Sequence, residues 1–144
     1  MYKSVVVGTD GSGTADRAVE TAADLARQWG APLHIVTGFR AGSSGMAAAS
    51  GAPFVEAAAD GFAREAAEQV TENASTAWGE GVDVHRHSVG GHPADAILDV
   101  ADQVGADLIV VGSKGMHGAR RFLGSVPNSV AHGAQCAVLI VKTD

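Results

Sequence analysis

Residues 110–136 read VVGSKGMHGARRFLGSVPNSVAHGAQC. An apolar run stops at Gly112, five glycines are spread from there to Gly133, and a helix-like pattern restarts at Gly124-Ser125. Glycine has no β-carbon, so Gly112, Gly115 and Gly118 can take positive φ and bring backbone close to an anion. Ser125 is a favoured N-cap residue, and the first amides of a helix have no acceptor inside it. The stretch therefore predicts strand, backbone-lined loop and helix, with an anion held at the helix start. Pro127 is tolerated in a first turn but carries no N–H. The anion would rely on Ser125, Val126 and the glycines.

The remainder of the chain supplies the frame. Val5-Val6-Val7 is a short β-branched run ending in GTDGSGT, and Ala15, Ala18, Val19, Ala22, Ala26 and Trp29 then recur at helical spacing up to Gly30. PLHIVTGF (32–39) reads as a second strand, followed by a Gly/Ser/Ala-rich loop near Gly42 to Gly51. Val55, Ala59, Phe62, Ala66, Val70 and Ala77 mark the expected buried stripe of a long helix ending near Trp78-Gly79. VDVHRHSV (82–89) reads as a half-exposed edge strand. GGHPADAILDVADQVGAD comes next as a turn and a helix with Pro93 in its first turn, a stripe of Ile97, Val100, Ala101 and Val104, and Gly105 as its stop. DLIVVG (107–112) is the most apolar strand, and CAVLIVKTD is the last.

This alternation predicts an α/β fold: an open, doubly wound, parallel five-stranded sheet with helices on both faces, for which we take the strand order 3-2-1-4-5. Ligands of such sheets bind beyond the carboxyl ends of the strands where the winding reverses, here between the first and fourth strands. The loops leaving those strands are GTDGSGT and GSKGMHGARRFLGS, both rich in glycine. Asp10 is placed to accept from ribose hydroxyls or to help hold a metal through phosphate oxygens. It also suits a turn or a helix N-cap. With phosphates at Gly115 and Gly124-Ser125, the pattern describes a nucleotide. Lys114, Arg120 and Arg121 also suit a solvated surface; of the three, Lys114 is assigned to the nucleotide site. Arg120 and Arg121 cannot both face one site from a single helical turn, and His117 reads as solvent-exposed. The loop is not a Walker P-loop, because Val126 follows Ser125, and no G-x-G-x-x-G follows the first strand.

Composition sets the outer bounds. The chain has 144 residues, 46% of them hydrophobic and 5% aromatic, so small aliphatic residues must build one domain's core. The net charge of −6 argues against non-specific nucleic-acid binding. The N-terminal apolar run is too short for a signal peptide or a membrane span, which points to the cytoplasm. Cys136 is the single cysteine, read as a small buried hydrophobe rather than a reactive thiol. His85 and His87 share a strand face but have no third ligand at a supporting spacing, so an exposed edge is preferred over a metal site. His92 opens a helix and reads as structural. No catalytic triad or carboxylate pair stands out, and no metal ligand is assigned.

Three stretches carry a family resemblance: MYKSVVVGTDGS, GGHPADAIL, and ADLIVVGSKGMHGARRFLGSVPNSVAHGAQCAVLIVK. They resemble the universal stress protein family over nearly the whole chain. Its ATP-binding branch carries Gly, two residues, Gly, nine residues, then Gly and Ser or Thr. Gly112, Gly115, Gly124 and Ser125 match, with eight residues rather than nine between Gly115 and Gly124. The resemblance implies a stress-response sensor or switch that binds ATP, with Mg²⁺ held through the phosphates and adenine near Thr9 and Gly38. The absent side chain of Gly38 would leave room for the flat ring. It further implies a homodimer paired through the last strand, residues 137–142. Three alternatives stay open: cAMP or AMP as the ligand, slow ATP hydrolysis or autophosphorylation, and a dimeric interaction protein with an empty pocket.

Overall fold

The computed structural model describes residues 1–40, 53–113 and 123–143 and, in the helix that opens at Pro53, side chains from residue 58 on. The loop near Gly42 to Gly51 lies outside these residues. So does the segment 114–122, which holds Lys114, Gly115, His117, Gly118, Arg120 and Arg121.

Five strands alternate with helices: β1 (Val5–Gly8), α1 (Gly13–Trp29), β2 (Leu33–Phe39), α2 (Pro53–Trp78), β3 (Val84–Gly90), α3 (Pro93–Val104), β4 (Leu108–Gly112), α4 (Ser125–Gly133) and β5 (Ala137–Val141). The sheet order is β3-β2-β1-β4-β5, and every pairing is parallel. β1 lies at the centre because its side chains suit burial on both faces. Val5 and Val7 join a core with Leu33, Ile35, Leu108, Val110 and the α1 alanines. Val6 points the other way, into a core with Val36, Ile97, Val100, Ile109, Val111 and Val130. Helices on both faces let such a strand bury every side chain, and each fully buried valine contributes about 1.5–3 kcal/mol.

α1 buries Ala18, Val19, Ala22, Ala23 and Ala26, small residues that let the helix lie close on the sheet. Ser12 caps its start, its Oγ accepting from the Ala15 amide, and Gly30 ends it in the left-handed region at φ 61°. Gly105 ends α3 in the same way at φ 62°. Aromatic packing is sparse; the Tyr2 and Trp29 rings meet edge-on at 5.0 Å. The chain start is tied down by the Asp107 carboxylate, which accepts from the Lys3 and Ser4 amides. Burial raises the Asp107 pKa, but those amides and the Lys3 charge outweigh it and hold the group below its usual range.

The expected stripe of α2 is displaced. The helix buries Ala67, Thr71 and Ala74 and packs Trp78 against the core, whereas Phe62 is 73% exposed and Ala66 and Ala77 face solvent. Val70 and Ala59 are half-buried, and the Val55 side chain lies outside the described residues. Alanines on every side of this helix leave no apolar period strong enough to choose its inner face.

Candidate functional site

The strand order reverses between β1 and β4, and a cleft of about 440 Å³ opens there beyond the strand ends. Two loops and two helix starts shape it. From β1 come Gly8, Thr9 and Asp10; from β4, Val111 and Gly112; from the start of α4, Gly124, Ser125, Val126 and Pro127. The far walls are Val36 and Gly38 of β2 and Pro93 and Ile97 of α3. Seven sequence-nominated residues thus line one cleft: Thr9, Asp10, Gly38, Gly112, Gly124, Ser125 and Val126. Lys114 and Gly115 lie outside the described residues.

The loop after β1 is a tight polar turn. Thr9 donates its amide to Val36 O at 2.9 Å, and its carbonyl accepts from Thr37 Oγ1 at 2.9 Å. Thr9 Oγ1 accepts from the Gly11 amide at 3.1 Å, and Asp10 Oδ1 accepts from the Ser12 amide at 2.9 Å. Asp10 is therefore a turn former, and its exposed carboxylate also borders the cleft. Gly11 has φ 79°, where a side chain is strained and a Cβ would lie 3.0 Å from Val70 Cγ2. Nothing in the sequence singled out Gly11 from its neighbours.

At α4 the N-cap is Gly124, not Ser125; Ser125 is the first helical residue, and no side chain caps this end. The Gly124 carbonyl accepts from the Asn128 amide at 3.0 Å. The amides of Ser125 and Val126 precede that bond and have no acceptor within the helix, and Pro127 has no N–H. Two amides of one helix turn, at the positive end of its dipole, thus lie at the α4 edge of the cleft. Among the described residues, Asp10 is the one ionisable side chain lining it.

Two expectations about glycine need correction. Gly112 does not take positive φ; it sits in β4, and a Cβ there would lie 2.9 Å from Thr143 Cγ2. Gly38 lines the cleft, but the space its missing side chain leaves is taken by protein. A Cβ on it would lie 2.7 Å from Pro93 Cα and 3.2 Å from Gly91 O, so its bareness admits the β3–α3 turn. Both glycines serve packing of the walls. Sequence reasoning also missed Thr14, Ala15, Pro93, Ile97 and Thr143 as cleft residues. Thr143 has no sequence signal; it is placed by its amide bond to Ser113 Oγ at 3.1 Å. His92 is structural as read, its Nδ1 accepting from the Ala94 amide at 3.2 Å to cap α3. Cys136 is half-buried against the α3–α4 core rather than fully buried, and desolvation raises its thiol pKa.

A second polar group lies at the β2–β3 edge. Parallel pairing sets His34 opposite His85, with His87 two residues on along the same face. His34 Nδ1 and His87 Nε2 are 3.0 Å apart, and the His34 and His85 rings stack at 4.9 Å. His34 is 8% exposed. Desolvation, then the charges of His87 and His85, push its pKa down to about 4 against the opposing pull of Asp83. His87 is also lowered, by burial and by His85. The third histidine that the HRH stretch lacked is thus on the neighbouring strand. Even so, no three His, Cys, Asp or Glu among the described residues are arranged to hold a metal ion.

The fold and cleft define a doubly wound α/β protein with a ligand crevice at its switch point. Residues 1–142 match the universal stress protein family, and the chain belongs to that family. It is 38% identical to Universal stress protein Rv1636 of Mycobacterium tuberculosis over 99% of this chain and 97% of the relative. A universal stress protein solved in complex with cAMP is 35% identical, with a TM-score of 0.70, 99% of this chain and 98% of that one being covered. One from Archaeoglobus fulgidus in complex with dAMP is 27% identical, with a TM-score of 0.65 and 98% of each chain covered. No helix among the described residues is long and apolar enough to cross a membrane.

Proposed function

We propose that residues 1–144 form one domain that binds an adenine nucleotide in the β1–β4 cleft and acts as a ligand-dependent switch of the stress response in the cytoplasm. The observation that carries this reading is the pairing, across one cleft, of the Asp10 carboxylate with the two amides that open α4. A carboxylate suits ribose hydroxyls, and helix-start amides suit phosphate. The Thr9 side of the apolar walls takes the base. Gly112 and Gly38 act by shaping those walls, while Lys114 and Gly115 are assigned to the phosphates on sequence grounds. Relatives solved in complex with cAMP and dAMP support the choice of an adenine nucleotide.

In the first reading the ligand is ATP. Gly124, Ser125 and Val126 hold one phosphate, and Mg²⁺ is carried by the phosphate oxygens. The second reading is cAMP. Two observations favour it: the eight-residue spacing between Gly115 and Gly124, and the 35% identity to a cAMP-bound relative. Titration calorimetry with ATP plus Mg²⁺, AMP and cAMP ranks them. ATP binding tightest supports the first reading, cAMP tightest the second, and no heat with any of the three overturns nucleotide binding.

The partner we propose is a second copy, paired through β5. This strand ends the sheet, and Leu139 is 37% exposed on it. Leu139→Lys is expected to convert a dimer to a monomer in light scattering; an unchanged mass moves the interface elsewhere.

A further inference from the structure

We propose that the histidine cluster of β2 and β3 is an acid-sensitive latch: neutral, it holds the outer edge of the sheet closed, and protonated, it releases β3 from β2. Such a latch works whether or not the cleft holds a nucleotide. At its centre is one contact, His34 Nδ1 to His87 Nε2 at 3.0 Å. A hydrogen bond between two imidazoles needs one nitrogen bare and the other protonated. Once both rings are charged, both nitrogens carry hydrogen and the contact turns from bond to repulsion. The stacked His85 ring, 4.9 Å from His34, adds a third imidazole to the same face.

The surroundings offer little compensation for positive charge. On β1, the residue paired with His34 is the buried Val6. α3, packed on this face, turns Ala96, Ile97 and Val100 inward, while its carboxylates Asp95, Asp99 and Asp102 are exposed. Arg86 lies between the two histidines of β3 and points to the opposite face. Among the described residues the carboxylate acting on His34 is Asp83, which is bonded to His85 Nε2 at 3.1 Å. β3 has a partner strand on one side only, so this edge is where loss of pairing disturbs the sheet least. The strand also runs straight into the Gly91–Pro93 turn that packs on Gly38, so its release would loosen that wall of the cleft.

His34 sets the direction in pH. Its folded-state pKa, about 4, lies below the ordinary histidine value of 6.5. Above pH 6.5 the ring is neutral in both folded and unfolded chains and nothing is lost. As pH falls from 6.5 towards 4, the unfolded or opened chain takes up the proton first, and the closed edge loses stability. One such proton changes the equilibrium constant by up to about tenfold per pH unit.

The test is amide hydrogen exchange, corrected for intrinsic rates, at pH 7.5 and pH 5.0 with a chelator present. The expected result is that β3 amides open at least about tenfold more at pH 5.0 than at 7.5, while β1 and β4 amides change less. His34→Leu removes the buried ring and should flatten the response. His87→Gln, at a half-exposed position, removes one ring of the contact but leaves His34 buried, and should reduce the response where the first variant folds poorly. His132→Gln, on the exposed face of α4, should leave it intact. Equal opening of all strands, or equal flattening by His132→Gln, overturns the proposal. So does a marked rise in melting temperature with equimolar Zn²⁺ at pH 7.5 that His87→Gln abolishes, which would make the cluster a metal site.

Discussion

The cleft between β1 and β4 and the histidine patch between β2 and β3 are both made where neighbouring strands meet, yet they are assembled in different ways. The cleft is built mainly beyond the strand ends, from turns, bare backbone and a helix start. The patch is built from side chains within strands, brought together by register. The first kind of site depends mostly on backbone, with the Asp10 carboxylate as its one ionisable side chain among the described residues; the second depends on a few rings and their protonation. Variants should therefore separate the two regions, except where they share a wall.

That shared wall carries the largest expected effect. Gly38→Val drives a side chain into the backbone of Pro93, which cannot move aside as a flexible side chain would. We expect about 3 kcal/mol of destabilisation in urea unfolding, with loss at both regions; a midpoint near that of the parent would mean the wall is soft. Asp10→Ala comes next. It should weaken nucleotide affinity by about 2 kcal/mol, some thirtyfold in Kd, while leaving the acid response of β3 unchanged. If affinity survives, the ribose is held elsewhere. Ser125→Pro removes one of the two amides, at the first helical position, which accepts proline and follows the extended Gly124. Calorimetry should show about tenfold weaker binding with unfolding little changed, and binding equal to the parent would remove α4 from the site. The smallest effect belongs to Ser125→Ala. Because Gly124 is the cap, the loss in stability should stay below about 0.5 kcal/mol, whereas a true cap would cost about 1 kcal/mol.

In the same comparison His87→Gln is the converse probe. It should leave calorimetric affinity at pH 7.5 unchanged while reducing the loss of stability between pH 6.5 and 4. Equal losses in parent and variant over that window would assign the acid response to groups outside the patch.

The same contrast explains what the sequence disclosed. The inner strands were legible because Val5–Val7 and Leu108–Val111 are apolar without alternation, and the edge strand because VDVHRHSV alternates only at its start and is polar after it. The cleft was legible because its loops are contiguous and each follows one of those inner strands. Its finer details were not. Whether Gly124 or Ser125 caps α4 is a matter of one residue in backbone angles, which composition does not encode. Gly38 and Gly112 were read as room for a ligand, but the atoms that need the room are Pro93 and Thr143, more than thirty residues away in each case. The His34–His87 contact likewise required the register of two strands whose joining helix is 26 residues long. The α2 face failed for a simpler reason: a helix with alanine on all sides offers no stripe.

The central position of β1 has a further consequence, for synthesis. Of the five strands β1 leaves the ribosome first, and β2 can join one flank of it after about thirty residues. The other flank must wait for Leu108–Gly112, about a hundred residues later. Until then a row of unsatisfied amides and carbonyls beside three valines stays open to any passing extended chain. Closing a loop of that length is slow as well as unfavourable. The β1–β4 seam that shapes the cleft is therefore also the last part of the sheet's centre to be protected, and the window in which a nascent chain is most exposed to aggregation ends when the floor of the cleft is laid.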